Sequence, residues 1–227
     1  KRLTGSKFIQ PLLSAKPVNE YEGYSHIKKS VSDVIQLYTS LGVLSSASLY
    51  MRDFDKSNWT AINQNEKYLP GSILKIPVLM TFLRYEEEHP GSLDSTMQYI
   101  YKFQYEFPKR PSIITQQIQW GKWYSRRELL RYMIEYSDNN ATLMLWMVMN
   151  KNTFFKIFEE LGLSKPDLDG MSIPLSVQEC SLFMETLFNA TILNVRQSEY
   201  AVDLLCKSTF NDGIVKGIPV GKLLIAH

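Results

Sequence analysis

Several absences narrow the field before any motif is considered. The 227-residue chain has only two cysteines, Cys180 and Cys206, so no disulfide framework organises it. Both sit in helical patterns, which suits buried thiols better than a bridge. No run of about 18 apolar residues occurs, and Leu143 to Met149 is too short to span a bilayer. A formal net charge of +2 lacks the basic excess expected of a nucleic-acid-binding protein. The pairs Lys28-Lys29, Lys109-Arg110 and Arg126-Arg127 read as solvated faces. Internal repeats and low-complexity linkers are also missing. What remains is ordinary globular composition, 44% hydrophobic, with enough length for one large domain or two intimate halves.

The positive signals begin with Leu69-Pro70-Gly71-Ser72-Ile73-Leu74-Lys75. Pro-Gly ends an extended segment, and an apolar run to Leu83 follows, closed by Glu86-Glu87-Glu88 and His89-Pro90-Gly91. This predicts a buried helix with Ser72 at its start, as an N-cap, and Lys75 one turn on along the same face. Pro77 is expected to bend that helix or loosen one backbone bond. A serine hydroxyl needs a base to become nucleophilic, and a lysine becomes a base when burial lowers its pKa. Ser25-His26-Ile27-Lys28 has the same spacing, so the pattern alone decides little. Ser25 and Lys28 fall in an amphipathic helix with Ile27, Val31, Val34, Tyr38 and Leu41 on its apolar side.

The remaining elements follow in order. Residues 1–23 read as an arm with Pro11 and Pro17, leading into the helix that Gly42 ends. Val43–Arg52 and Trp59–Ile62, joined by a polar turn, predict a hairpin. Alternating aromatics from Tyr99 to Phe107 fit a strand or extended wall but read mostly as core and rim. Ser125 with Glu128, and Ser176 with Glu179, are capping boxes opening helices. Further helices are expected over Ala141–Met149, over Phe154–Leu161 with a stop at Gly162, and from Ser198 to Cys206. Lys165 to Ile173 reads as a loop, Asn211-Asp212-Gly213 as a turn, and Leu223–Ala226 as the beginning of a strand.

Between two helical patterns lies Ser137-Asp138-Asn139, 65 residues beyond Ser72. Ser-x-x-Lys followed by Ser-Asp-Asn is the motif order of serine penicillin-recognising enzymes. With Leu49–Asp53, Tyr68–Val78, Met133–Thr142 and Phe210–Pro219, the chain resembles the class A β-lactamase-like serine hydrolases, relatives of the penicillin-binding proteins. The resemblance covers most of the chain from about residue 20. It implies an α/β (α+β) fold in which an all-helical half packs on an antiparallel sheet flanked by helices, with residues 1–227 forming a single domain.

The resemblance also implies roles. Ser72 would be the acylated nucleophile, Lys75 its base and Ser137 a proton relay to the leaving nitrogen. Asn139 would hydrogen-bond the substrate amide, and the Ser72 N–H would form half of an oxyanion hole. Asp138 is expected to hold the loop through backbone N–H groups. Neither cofactor nor metal is implied. The expected substrates are small-molecule β-lactams or cell-wall peptides, met outside the cytoplasmic membrane. The competing class is a lactamase-like binding module that has lost turnover.

Two departures qualify this. The family's Lys-Thr-Gly motif is absent, so the chain ending at His227 is expected to be incomplete, lacking C-terminal strands. The nearest match to the Glu-x-x-Leu-Asn loop of class A enzymes is Glu160-Leu161-Gly162-Leu163-Ser164, at the end of a helical pattern. Glu160 therefore reads as a surface carboxylate, and Asp167 and Asp169 are weaker substitutes. Acylation without efficient deacylation is the expected consequence.

Overall fold

The computed structural model describes residues 19–101, 116–168, 173–209 and 216–217. Among them are seven α-helices: α1 (Ser25–Ser40), α2 (Lys75–Glu88), α3 (Arg126–Glu135), α4 (Asn139–Val148), α5 (Lys151–Glu160), α6 (Val177–Asn189) and α7 (Val195–Cys206). Six strands pair as three antiparallel two-stranded sheets: β1 (Leu49–Arg52) with β2 (Trp59–Ile62), β3 (Lys67–Tyr68) with β6 (Leu175–Ser176), and β4 (Thr96–Gln98) with β5 (Trp123–Ser125). The mixed helix-and-sheet architecture agrees with the fold class expected from the sequence. The arm residues before Asn19, the aromatics Phe103, Tyr105 and Phe107, Asp169, the 211–213 turn and the 223–226 strand lie outside the described residues.

Helix α2 is the centre of the core. Every residue from Lys75 to Leu83 is buried, which explains an apolar run too broad to be amphipathic. Helices α3, α4, α5 and α7 surround it, and Leu79, Leu129, Met133, Met144, Phe158 and Leu205 are almost wholly excluded from solvent. Pro77 falls at the third position of α2, where the missing N–H would have had no intrahelical partner, so the expected disruption does not arise. Ser72 is not an N-cap. It lies in a short 3-10 turn, Gly71–Leu74, that leads into α2. Gly71 starts that turn at φ +55°, a left-handed conformation natural to glycine.

Both capping boxes form: Ser125 Oγ accepts from the Glu128 N–H, and Ser176 Oγ from the Glu179 N–H. Helix α7 begins earlier than expected because Asn194, not Ser198, is the cap; Asn194 Oδ1 accepts from Gln197 N, and Ser198 is buried inside the helix. Helix α4 begins at Asn139 because the Asp138 carboxylate caps it. Gly162, at φ +70°, follows α5 as expected. Cys180 and Cys206 are free thiols, half-buried rather than buried.

The hairpin β1–β2 is in register with Leu49 opposite Ile62 and Arg52 opposite Trp59. Its turn is held by Asp53 Oδ1, which accepts from the N–H groups of Asp55 and Lys56. The first strand is shorter than Val43–Arg52. The N–H groups of Gly42, Val43 and Leu44 bond back to the last turn of α1, and Ser48 and Asn63 exchange side-chain bonds with backbone carbonyls where ladder bonds would run. Helix α1 rests on β2, yet none of its residues is buried, and Val34, Leu37, Tyr38 and Leu41 of its apolar side remain exposed. The two-stranded sheet offers it little surface. Lys28 is engaged by Glu20 at 2.8 Å, which sets the second Ser-x-x-Lys apart from the first.

A buried ion pair ties the hairpin to the helices. Arg52 Nη1 donates to Glu185 Oε2 of α6 at 2.6 Å, with the two side chains only 3% and 11% exposed. Removing one partner strands a charge away from water. Glu185→Ala is expected to lower unfolding stability by about 3 kcal/mol, read as a lower urea midpoint. Replacing both partners, Arg52→Met with Glu185→Leu, is expected to recover most of that loss.

Candidate active site

Three chain segments meet at one corner of the core: the 3-10 turn before α2, the start of α2, and the bend between α3 and α4. The bend is sharp because Ser137 is in the left-handed region, at φ +53°. A non-glycine residue there is strained by roughly 1–3 kcal/mol and persists only when its surroundings hold it.

Asp138 supplies the hold. It is fully buried, and its carboxylate accepts three backbone N–H groups: Ile118 on Oδ2 at 2.7 Å, and Asn140 and Ala141 on Oδ1 at 2.8 and 3.3 Å. Its own N–H donates to Tyr132 O, and its carbonyl accepts from Thr142. Burial pushes the carboxyl above the ordinary aspartate value, against the pull of these donors and of Lys75. The loop-holding role expected of Asp138 is thus present in the geometry. The contribution of Ile118 left no signal in the sequence, because a backbone N–H carries no residue identity.

The bend presents Ser137 to two other side chains. Ser137 Oγ lies 3.0 Å from Ser72 Oγ and 2.7 Å from Lys75 Nζ, and Lys75 Nζ also donates to Ser137 O at 2.8 Å. Ser72 and Lys75 are therefore joined through Ser137, with no direct hydrogen bond between them among the described residues. Lys75 is 4% exposed, and burial lowers its amine from 10.5 to about 8, with Asp138 opposing the shift. Its place in the first turn of α2 sets it at the positive end of the helix, which also disfavours the charged form. Ser72 is exposed. Asn139, half-buried at the start of α4, adjoins this group along the chain and not through a hydrogen bond to it.

Glu160 lies elsewhere. It closes α5 and pairs with Arg84 of α2 at 2.5 Å, with its side chain 41% exposed. Arg84 is nine residues past Lys75, about 13 Å further along the helix axis. A surface carboxylate is what the sequence suggested. No group of His, Cys, Asp and Glu among the described residues could hold a metal ion, and no described helix is long and apolar enough to cross a membrane.

The fold and this corner are of the serine β-lactamase-like type. A sequence model of the β-lactamase enzyme family matches residues 27–227, and the chain belongs to that family. Among solved structures it is similar to PBP-A, with a TM-score of 0.69 and 17% identity over 92% of this chain and 77% of that one. A variant of PBP-A described as an acyl-enzyme complex with penicillin G aligns at a TM-score of 0.64, 16% identical over 87% of this chain and 74% of that one. A class A β-lactamase from Mycobacterium abscessus aligns at 0.61, 21% identical over 77% of this chain and 70% of that one. At such identities these likenesses establish the fold. Among curated proteins none matches by sequence.

The site's geometry generates a test of Asp138. Asp138→Asn keeps size but turns one acceptor oxygen into an NH2 facing a backbone N–H. It is expected to cost about 1–3 kcal/mol of stability and to let Ser137 leave its left-handed conformation. Denaturant unfolding checks the first effect. Amide hydrogen exchange at Ile118 and Asn140, expected to quicken, checks the second.

Proposed function

We propose that this chain is a serine hydrolase that forms an acyl-enzyme with β-lactams or peptidoglycan-like peptides. The observation that carries the reading is the hydrogen-bonded series Ser72 Oγ, Ser137 Oγ, Lys75 Nζ, ending on an amine whose pKa is lowered to about 8. In its neutral form Lys75 accepts a proton from Ser137 while Ser137 accepts one from Ser72. Ser72 Oγ then attacks the substrate carbonyl, and the C–N bond breaks. The proton held on Lys75 returns through Ser137 to the leaving nitrogen. The Ser72 N–H would serve as an oxyanion donor, stabilising charge that appears only in the transition state. Asn139 would take the substrate's amide. Action outside the cytoplasmic membrane belongs to the same reading.

Hydrolysis of the acyl-enzyme needs a second base for water, and no described group of this corner is suited to it. Glu160 is engaged with Arg84. This supports slow turnover, nearer to a penicillin-binding protein than to an efficient β-lactamase. A binding module without chemistry is the competing reading, and covalent labelling separates the two.

A fluorescent penicillin is expected to label Ser72 alone, as read by peptide mapping. Ser72→Ala should abolish the label, while a label on Ser25 would refute the assignment. Because the base must be neutral, acylation is expected to rise with pH through a midpoint near 8 and to level off above it. Lys75→Arg, which stays charged, should acylate at least about 100-fold more slowly; a normal rate would remove Lys75 from the base role.

Turnover gives a separate test. With a chromogenic cephalosporin, one equivalent of product should appear as a burst, followed by a slow steady state. A general base contributes about 10²–10⁴-fold, which sets the scale of the slowing. Glu160→Gln should leave the steady rate nearly unchanged. Rapid hydrolysis without a burst, abolished by Glu160→Gln, would show that Glu160 does activate water.

A further inference from the structure

Tyr124 is a buried tyrosine that the acyl-transfer chemistry does not use, yet it touches both of the chain segments that hold Asp138. It lies at the centre of β5, opposite Met97 of β4, and is 8% exposed, with its ring in the core. A phenylalanine would fill that space equally well, and a buried hydroxyl is costly unless it is bonded. The Tyr124 hydroxyl oxygen accepts from the Gln119 N–H at 2.8 Å. The preceding N–H, that of Ile118, donates to Asp138 Oδ2 at 2.7 Å. Two consecutive backbone donors thus meet side-chain acceptors on different elements, β5 for one and the α3–α4 bend for the other.

The carbonyl of Gln119 is held as well. It accepts from the Lys122 N–H, closing a turn with Gly121 at φ +79°. That turn is fastened to Tyr99, by Tyr99 N–H to Lys122 O and Gly121 N–H to Tyr99 O. Gln119 is therefore anchored through its N–H and its carbonyl although the residue is exposed. Only the φ and ψ of Ile118 separate the peptide carrying the Gln119 N–H from the one carrying the Ile118 N–H. Anchoring the first restricts the second.

The ring supplies another connection. Tyr124 packs edge-on against Tyr132 of α3 with centroids 5.7 Å apart, and Tyr132 packs against Tyr136 at 5.5 Å. The Tyr132 carbonyl accepts the N–H groups of Tyr136 and Asp138, the residues on either side of Ser137. One side chain of β5 thus bears on Asp138 twice: through the Ile118 donor on its carboxylate, and through the helix end that holds its N–H. Among the described residues no hydrogen bond joins Tyr124 to Ser72, Lys75 or Ser137.

We propose that Tyr124 is a positioning residue for the α3–α4 bend, acting through Asp138 to keep Ser137 between Ser72 and Lys75. Its effect on rate rests on the acyl-enzyme reading, whereas its hold on the bend can be measured without any acylation.

Tyr124→Phe removes the acceptor oxygen and keeps the ring. The experiment compares it with the wild type and with Glu185→Ala, a destabilised control whose lost partner is Arg52 of β1. Fluorescent-penicillin labelling is followed over a range of concentrations, and amide hydrogen exchange is measured without ligand. In Tyr124→Phe the saturating acylation rate is expected to fall roughly 3- to 10-fold. The half-saturating concentration should stay unchanged, with one label per folded chain. Exchange should quicken at Ile118 and Asp138 more than at Ile157 and Phe158 of α5. Glu185→Ala should label at the wild-type rate and show no preference for the bend in its exchange. Acylation of Tyr124→Phe at the wild-type rate overturns the proposal. Slowing of equal size in Glu185→Ala also overturns it, because the effect would then be one of stability. If the wild type takes no label, the acyl-enzyme reading fails and exchange alone decides. Selective quickening at Ile118 and Asp138 then upholds the hold on the bend, and unchanged protection there overturns it.

Discussion

The buried carboxylate of Asp138 is the interaction on which the candidate site depends. A carboxylate with no solvent exposure is costly unless donors surround it. Here the donors are backbone N–H groups from two places: the first turn of α4, and Ile118, twenty residues upstream. The same group therefore caps a helix, anchors a strand-side loop and fixes the bend that puts Ser137 at φ +53°. The strain at Ser137 persists because leaving it would free several buried donors at once. Asp138 also bears on Lys75, where it raises the amine's pKa while burial lowers it more strongly. The outcome near 8 is a balance between a desolvated amine and a nearby negative charge, and it keeps both protonation states accessible close to neutral pH.

The elements around this corner each have a part in that balance. Helix α2 is buried over its first nine residues, so Lys75 has no route to water and must find its partners at Ser137. The 3-10 turn before it, opened by Gly71, leaves Ser72 exposed on the outer side, where a substrate can reach it. Ser72 is thus accessible and Lys75 is not, the separation that the proposed acyl transfer from an outside substrate requires. Far from this corner, the Arg52–Glu185 pair ties the hairpin to α6 and so links the sheet side to the helical side.

Much of this was legible in the residues. Capping boxes at Ser125 and Ser176, the stop at Gly162 and the hairpin turn at Asp53 are local chemistry, and they appear where local chemistry puts them. The association of Ser72, Lys75 and Ser137 was legible through motif order and resemblance, not through composition. What escaped is instructive in physical terms. Ser72 looked like an N-cap because a hydroxyl before an apolar run usually is one, yet the chain spends a 3-10 turn before α2 starts. Asn194 outcompeted Ser198 because the helical apolar period does not fix where capping begins. Val43–Ser48 looked extended, but its first N–H groups bond back to the end of α1, and Ser48 and Ala47 take part in side-chain bonds with Asn63 instead of a ladder. The contact of Ser137 with Ser72 and Lys75 depends on a left-handed serine, which sequence spacing cannot express.

The two halves of the proposed reaction separate in the architecture. The groups suited to acylation come from the start of α2 and the α3–α4 bend, which one buried carboxylate holds together. Glu160 belongs to the end of α5 and faces Arg84, nine residues along α2 from Lys75. Moving it to the site would mean breaking that pair and shifting the end of α5, whose Phe154, Ile157 and Phe158 are fully buried. Close-packed interiors resist such displacement. A water-activating base cannot be recruited from Glu160 by a change of rotamer alone. Glu160 therefore stays at the end of α5 with Arg84, apart from the corner that holds Ser72, Lys75 and Ser137.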